Sequence, residues 1–118
     1  MPNLFYLEDR LARFAADIII FTKTLPNDHG GKILEDQMMR SALSSALNYG
    51  EAQGTETDKD FVHKMSIVVK ELKETRVALK VVFFVQYGND AVLPNLQKEC
   101  GELVAICATR IKNRKKTG

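Results

Sequence analysis

Residues 48–64 read NYGEAQGTETDKDFVHK. The stretch gathers Asn48, Glu51, Asp58, Asp60 and His63 with two glycines and two threonines, between apolar sequences on either side. How it is read decides the fold: it is either the loop of an active site or the hinge of a helical hairpin. The residues favour the hinge. Gly50 and Gly54 loosen the end of one helix. Thr57 or Asp58 can cap the next, and Asp58 and Asp60 suit the positive end of its dipole. The catalytic alternative pairs Glu51 as a general base with His63. His63 falls two positions after Phe61, off the apolar stripe, and is expected at the rim or in solvent.

Outward from the hinge, the spacing is helical throughout. On the C-terminal side, Phe61, Met65, Val68, Leu72, Thr75, Leu79, Val82 and Gln86 recur in threes and fours, and this helix is expected to end near Tyr87, before Gly88. On the N-terminal side, a helix from about Lys32 to Ala52 presents Leu34, Met38, Ser41, Ser45, Asn48 and Ala52. Small residues on that stripe allow a close helix approach, and Asn48 can fix register. Further out, Leu4, Leu7, Leu11, Phe14, Ile18, Phe21 and Leu25 mark a first helix, with Pro26, Asn27 and the Gly30-Gly31 pair as its stop. A fourth begins near Asp90, takes Pro94 in its first turn and carries Leu96, Cys100, Leu103, Cys107 and Ile111. It decays into KNRKKTG, which is expected to fray. Four long helices with short connections predict an all-α, antiparallel up-down-up-down four-helix bundle. The expected organisation is one domain over residues 1–113 and a basic, disordered tail over 114–118.

Composition is that of an ordinary soluble domain: 118 residues, 45% apolar and 27% charged. Two cysteines seven apart are spaced as core residues, too far apart along one helix for a bridge. Reduced, buried thiols suggest the cytoplasm and argue against a cysteine nucleophile. The N-terminal MPNLFYLEDR has acids where a signal peptide needs bases. The run FAADIIIF is too short to span a bilayer, so no membrane partner is expected. No Glu-x-x-His motif occurs, His29 and His63 lack closely spaced thiols, and GGK at 30–32 lacks the spacing of a phosphate loop. The expectation is no metal, no cofactor and no catalytic residue.

Two features point to partners. The segment VVFFVQY, residues 81–87, is apolar on nearly every face of its helix. A small bundle cannot bury every face of one of its own helices, so Val81, Phe83, Phe84 and Tyr87 predict an interface with another copy of the chain. The net charge of +2 hides an asymmetry, since five of the seventeen bases are Arg110, Lys112, Arg114, Lys115 and Lys116. These five are the candidate nucleic-acid contacts; the alternative is cations favoured by a helix C-terminus.

Residues 37–75, QMMRSALSSALNYGEAQGTETDKDFVHKMSIVVKELKET, resemble the signature of the bacterial four-helix-bundle proteins associated with intervening sequences of large-subunit ribosomal RNA genes. Gln37, Arg40, Ser44, Asn48, Tyr49, Glu51, Ala52, Asp60, Phe61, Lys64, Glu71 and Glu74 match that pattern in order. Gly50 and Gly54 depart from it, standing where relatives often carry a long basic residue. The resemblance implies an antiparallel bundle assembled as a homopentameric ring, without catalytic activity. It gives structural roles to Arg40, Asn48, Glu51, Phe61, Lys64 and Glu71, with Asn48 and Glu51 expected to hydrogen-bond near the hairpin and hold its register. A related branch accompanies reverse transcriptases in retroelements and contacts the enzyme and nucleic acid. The acidic body of this chain sets it apart from that branch. The resulting expectation is a non-enzymatic scaffold that assembles with itself. The alternative is an accessory protein that binds RNA, or a nucleic-acid-handling protein, through its basic end.

Overall fold

The structure, a computed structural model, describes residues 6–117. Leu4 of the first stripe and Gly118 of the basic tail lie outside the described residues. Four helices follow one another: α1 (Tyr6–Thr22), α2 (His29–Gln53), α3 (Asp58–Val85) and α4 (Leu93–Thr117). The described residues contain no strand. α1 packs on α2, α2 on α3, α3 on α4, and α4 back on α1, so each helix occupies one corner of a bundle. The directions are antiparallel. Arg40, near the middle of α2, reaches Glu74 in the second half of α3, while Glu51, late in α2, meets Lys64 near the start of α3. Arg114 at the end of α4 meets Asp58 at the start of α3.

The stripes read from the sequence form the core. Leu11, Ile18, Met38, Met65, Val68, Leu72, Leu79 and Leu103 are fully enclosed. Tyr49 joins them at 1% exposure. The small stripe of α2 does more than permit close approach. Ser41 and Thr75, each on an inward stripe, hydrogen-bond at 2.6 Å across the α2–α3 contact. Each hydroxyl also faces a carbonyl of its own helix, Thr75 Oγ1 that of Glu71 at 3.0 Å and Ser41 Oγ that of Met38 at 3.5 Å. A net hydrogen bond of this kind contributes about 1 kcal/mol, but it also fixes which residue of α2 faces which of α3.

The helix ends differ from the sequence expectation in four places, each for a local reason. α1 stops at Thr22 rather than Leu25, because the Lys23, Thr24 and Leu25 N–H groups turn back to carbonyls three residues earlier, and the Thr22 and Thr24 hydroxyls bond the Ile19 and Phe21 carbonyls. The Gly30-Gly31 pair opens α2 instead of stopping α1. Asp28 is the cap, its carboxylate accepting the Gly31 N–H at 2.7 Å. A Cβ on Gly31 would collide with the Pro26 carbonyl oxygen, which is why a glycine sits there. α4 starts at Leu93, not Asp90, since the Asn89 carbonyl accepts the Val92 and Leu93 N–H groups and its side chain that of Ala91. Finally, α4 runs on through residues 114–117, where the sequence predicted a disordered tail. Arg114 holds that end: it donates to Asp58 at 3.0 Å and lies 3.8 Å from the centre of the Phe61 ring.

A candidate assembly surface at the end of helix α3

The second half of α3 keeps the inward stripe, with Thr75, Leu79 and Val82 buried. Its other faces are apolar as well. Val77, Val81, Phe83, Phe84 and Val85 are all exposed, Phe84 at 77%. Phe83 and Phe84 stand edge to face, 5.6 Å between centroids. On the neighbouring helix, Ile33, Leu43 and Leu47 are exposed too. The α2–α3 side therefore carries most of the exposed large apolar side chains among the described residues. Single exposed apolar residues are unremarkable; here several fall together on one helix end.

The end that carries this run is firmly held. α3 closes with Gln86 in the left-handed conformation (φ 60°), the Gln86 N–H bonding Phe83 O and the Tyr87 N–H bonding Val82 O. That is the Schellman pattern of helix termination. Tyr87 is half-buried, and its hydroxyl donates to Asp28 at the cap of α2 at 3.2 Å. The Asn89 N–H donates to Thr24 Oγ1 at 3.0 Å, tying the α3–α4 connection to the end of α1. Gly88 (φ 78°) passes so close to Phe21 that a Cβ would lie 2.7 Å from its ring. Of the four predicted interface residues, Val81, Phe83 and Phe84 thus point outward, and Tyr87 is partly used inside the chain.

The basic end of α4 is divided. Arg114 is engaged with Asp58 and Phe61, and Arg110 donates to the Tyr49 hydroxyl at 3.4 Å. Lys112, Lys115 and Lys116 are exposed. Burial raises the Tyr49 hydroxyl above its ordinary pKa, with the nearby Arg110 opposing.

The motif residues sort by contact. Arg40 forks between two carboxylates, at 3.0 Å to Glu71 and 2.6 Å to Glu74. This pairing holds the Glu74 carboxyl below the usual range and raises Arg40 further. Glu51 pairs with Lys64 at 3.6 Å. Asn48 does not reach across the hairpin: its amide donates to the Ser44 carbonyl at 2.9 Å and hydroxyl at 3.0 Å, four residues back on its own helix. Register between α2 and α3 instead comes from Arg40 with Glu71 and Glu74, and from Ser41 with Thr75. Neither the hydroxyl pair nor the Arg10 clamp on Glu99 and Glu102, which joins α1 to α4, was foreseen from the sequence. The available signal was an oxygen-bearing residue on each of two facing stripes.

As a catalytic pair, Glu51 and His63 do not meet. No hydrogen bond among the described residues joins them, and His63 is exposed. Both thiols are buried and free; burial pushes Cys100 up to about 12 and Cys107 up to about 11, so neither is a thiolate near neutrality. Among the described residues no group of three or more His, Cys, Asp or Glu converges as a metal set, and no helix is long and apolar enough to cross a membrane.

A short four-helix bundle with a polar-locked hairpin and one apolar outer face is the class these features define. The chain belongs to the 23S rRNA-intervening sequence protein family, whose sequence model matches residues 9–109. It is also similar to a crystal structure from Bacteroides thetaiotaomicron, described as a protein of unknown function from the S23 ribosomal protein family. The two share 25% identity over 90% of this chain and 98% of the other, with a TM-score of 0.82. No curated protein matches the chain.

Proposed function

We propose that the chain is a non-enzymatic, cytoplasmic scaffold that assembles with copies of itself through the outer face of α3, as a five-membered ring. The observation that carries this reading is the exposure of Val77, Val81, Phe83, Phe84 and Val85 together on one helix end. Burying such a run removes apolar surface from water at about 25 cal/mol per Å². The subunit number comes from the family resemblance; the apolar face itself supports association without fixing how many copies associate. Light scattering after size exclusion is the test. The full chain should run as a stable multimer, and Phe84→Asp should reduce it to a folded species near 13.3 kDa. A wild-type monomer at all concentrations overturns the reading.

A second reading has its own observation. Lys112, Lys115 and Lys116 stand exposed on the last turns of α4, and a ring would present several such ends together. On this reading the assembly binds RNA, or a nucleic-acid-handling protein, by its basic ends. Retention on a short RNA at low salt, falling steeply as salt is added, supports it; no retention at low salt removes it.

A further inference from the structure

At the opposite end of the bundle from Phe84, the α2–α3 hinge and the last turns of α4 enclose a pocket of about 310 Å³. We infer that this pocket binds the phosphate group of a phosphorylated sugar, with Arg110 and Arg114 as its cations. Its lining is Gln53, Phe61, Arg110, Asn113 and Arg114. Gln53 is the last residue of α2, Phe61 lies in the first turn of α3, and the other three come from α4. Two guanidinium groups and two side-chain amides thus border one small space, and no carboxylate lines it. The volume is at the lower end of the range for small-molecule pockets, about 300–1,000 Å³.

The two arginines are held in place by the chain itself. Residues 110, 113 and 114 share one helix face, and α4 stays helical beyond them. Arg114 lies 3.8 Å from the centre of the Phe61 ring and donates to Asp58 at 3.0 Å, so its guanidinium is oriented without a ligand. Arg110 forms no ion pair among the described residues; its one hydrogen bond there, to the Tyr49 hydroxyl, is long at 3.4 Å. A guanidinium carries five N–H donors, so this bond leaves most of Arg110's capacity for a ligand. Burial keeps the Tyr49 phenol neutral, and it orients Arg110 without cancelling its charge.

The donor set selects the ligand. Cations are repelled, and a lining without carboxylates gives a metal ion nothing to bind. Guanidinium forks match the oxygens of a phosphate two at a time. Amides from α2 and α4 add donors for further oxygens, which a tetrahedral phosphate has and a planar carboxylate lacks. Phe61, at 7% exposure, makes the remaining wall apolar, which fits the carbon skeleton of an attached sugar. This site is separate from the exposed Lys112, Lys115 and Lys116, none of which lines the pocket. It also gives the 48–64 stretch a second role beside that of hinge, since Gln53 and Phe61 form a wall and Tyr49 sets Arg110.

The experiment is an NMR titration of the full chain with adenosine 5′-monophosphate and with adenosine, read at the side-chain N–H groups of Gln53, Arg110, Asn113 and Arg114. Saturable shifts are expected with the monophosphate and none with adenosine. Gln53 is exposed, so Gln53→Glu should keep its helix content by circular dichroism while placing a carboxylate in the lining. It should weaken binding about tenfold or more, the scale of a hydrogen bond to a charged group. No saturable shift in wild type overturns the inference, and so does undiminished binding by Gln53→Glu. Two short RNAs of one sequence, with a 5′-phosphate or a 5′-hydroxyl, distinguish the source of the phosphate. Tighter binding of the phosphorylated RNA, lost in Gln53→Glu, assigns the pocket to an RNA end. Equal binding of the two RNAs, with the monophosphate still bound, assigns it to free nucleotides. If RNA is retained while the monophosphate fails to bind, the pocket falls and the reading based on the exposed lysines stands.

Discussion

The two halves of α3 share one inward stripe and differ in everything else. From Asp58 to Thr75 the inward positions are Phe61, Met65, Val68 and Leu72, and the outward ones are His63, Ser66, Lys70 and Lys73. From Arg76 to Val85 the inward positions are Leu79 and Val82, and the outward ones are Val77, Val81, Phe83, Phe84 and Val85, with Lys80 among them. The first half is amphipathic, as a helix at the corner of a bundle should be. The second is apolar outside as well as inside. Inward packing explains why both halves are helical; only the first half is also explained by solvent on its far side.

The largest effect that tests this contrast comes from truncating one aromatic or aliphatic side chain in each half. Leu72 is fully buried, and Leu72→Ala should cost ~2–5 kcal/mol in urea unfolding at every protein concentration. Phe84→Ala should change the stability of the isolated chain by less than about 0.5 kcal/mol, the range of ordinary surface substitutions. Any larger loss at Phe84 should appear only where the protein is concentrated enough to assemble, because association stabilises by mass action. A concentration-independent loss at Phe84 comparable to that at Leu72 would mean that the outer face packs within the chain.

A smaller effect probes the polar lock of the first half. Glu71 is nearly buried, with a side-chain exposure of 9%, and Arg40 is its base. Arg40→Ala strands that carboxylate and should cost ~1–2 kcal/mol, less than a fully enclosed pair because Arg40 is half in solvent. Arg40 lowers the folded-state pKa of Glu74, so the stabilisation it gives is present above the ordinary carboxyl value of 4.5 and fades as pH falls through the depressed folded value. The difference between wild type and Arg40→Ala should therefore shrink in acid. A cost that stays constant into strong acid would assign Arg40 a packing role instead.

What the sequence disclosed, and what it did not, follows the same physical division. Helical period is a property of one chain segment, so the stripes from Leu7 to Phe21 and from Phe61 to Val82 were legible residue by residue. The apolar excess of VVFFVQY was legible for the same reason. Pair contacts between segments were not, because spacing along one helix does not say which residue of the next faces it. Asn48 looked like a register device and turned inward on Ser44, while Ser41 and Thr75 do that work. The end of α4 was misjudged because a basic run resembles a frayed tail unless one sees that Arg114 meets Asp58, 56 residues earlier, and Phe61.

The smallest expected effect lies at the boundary where the outer face of α3 ends. Gln86 holds a left-handed conformation that costs a side-chain-bearing residue about 1 kcal/mol. Gln86→Gly should raise stability by ~0.5–1 kcal/mol, the removed strain being partly offset by the freedom glycine gains when unfolded. It should leave the mass of the proposed assembly unchanged. That pair of results would separate two properties that share this helix end: the local geometry of the cap, and the face that Phe84 presents. If Gln86→Gly instead loosens assembly, the cap sets the angle at which Phe84 leaves the bundle, and the assembly face includes the turn as well as the helix.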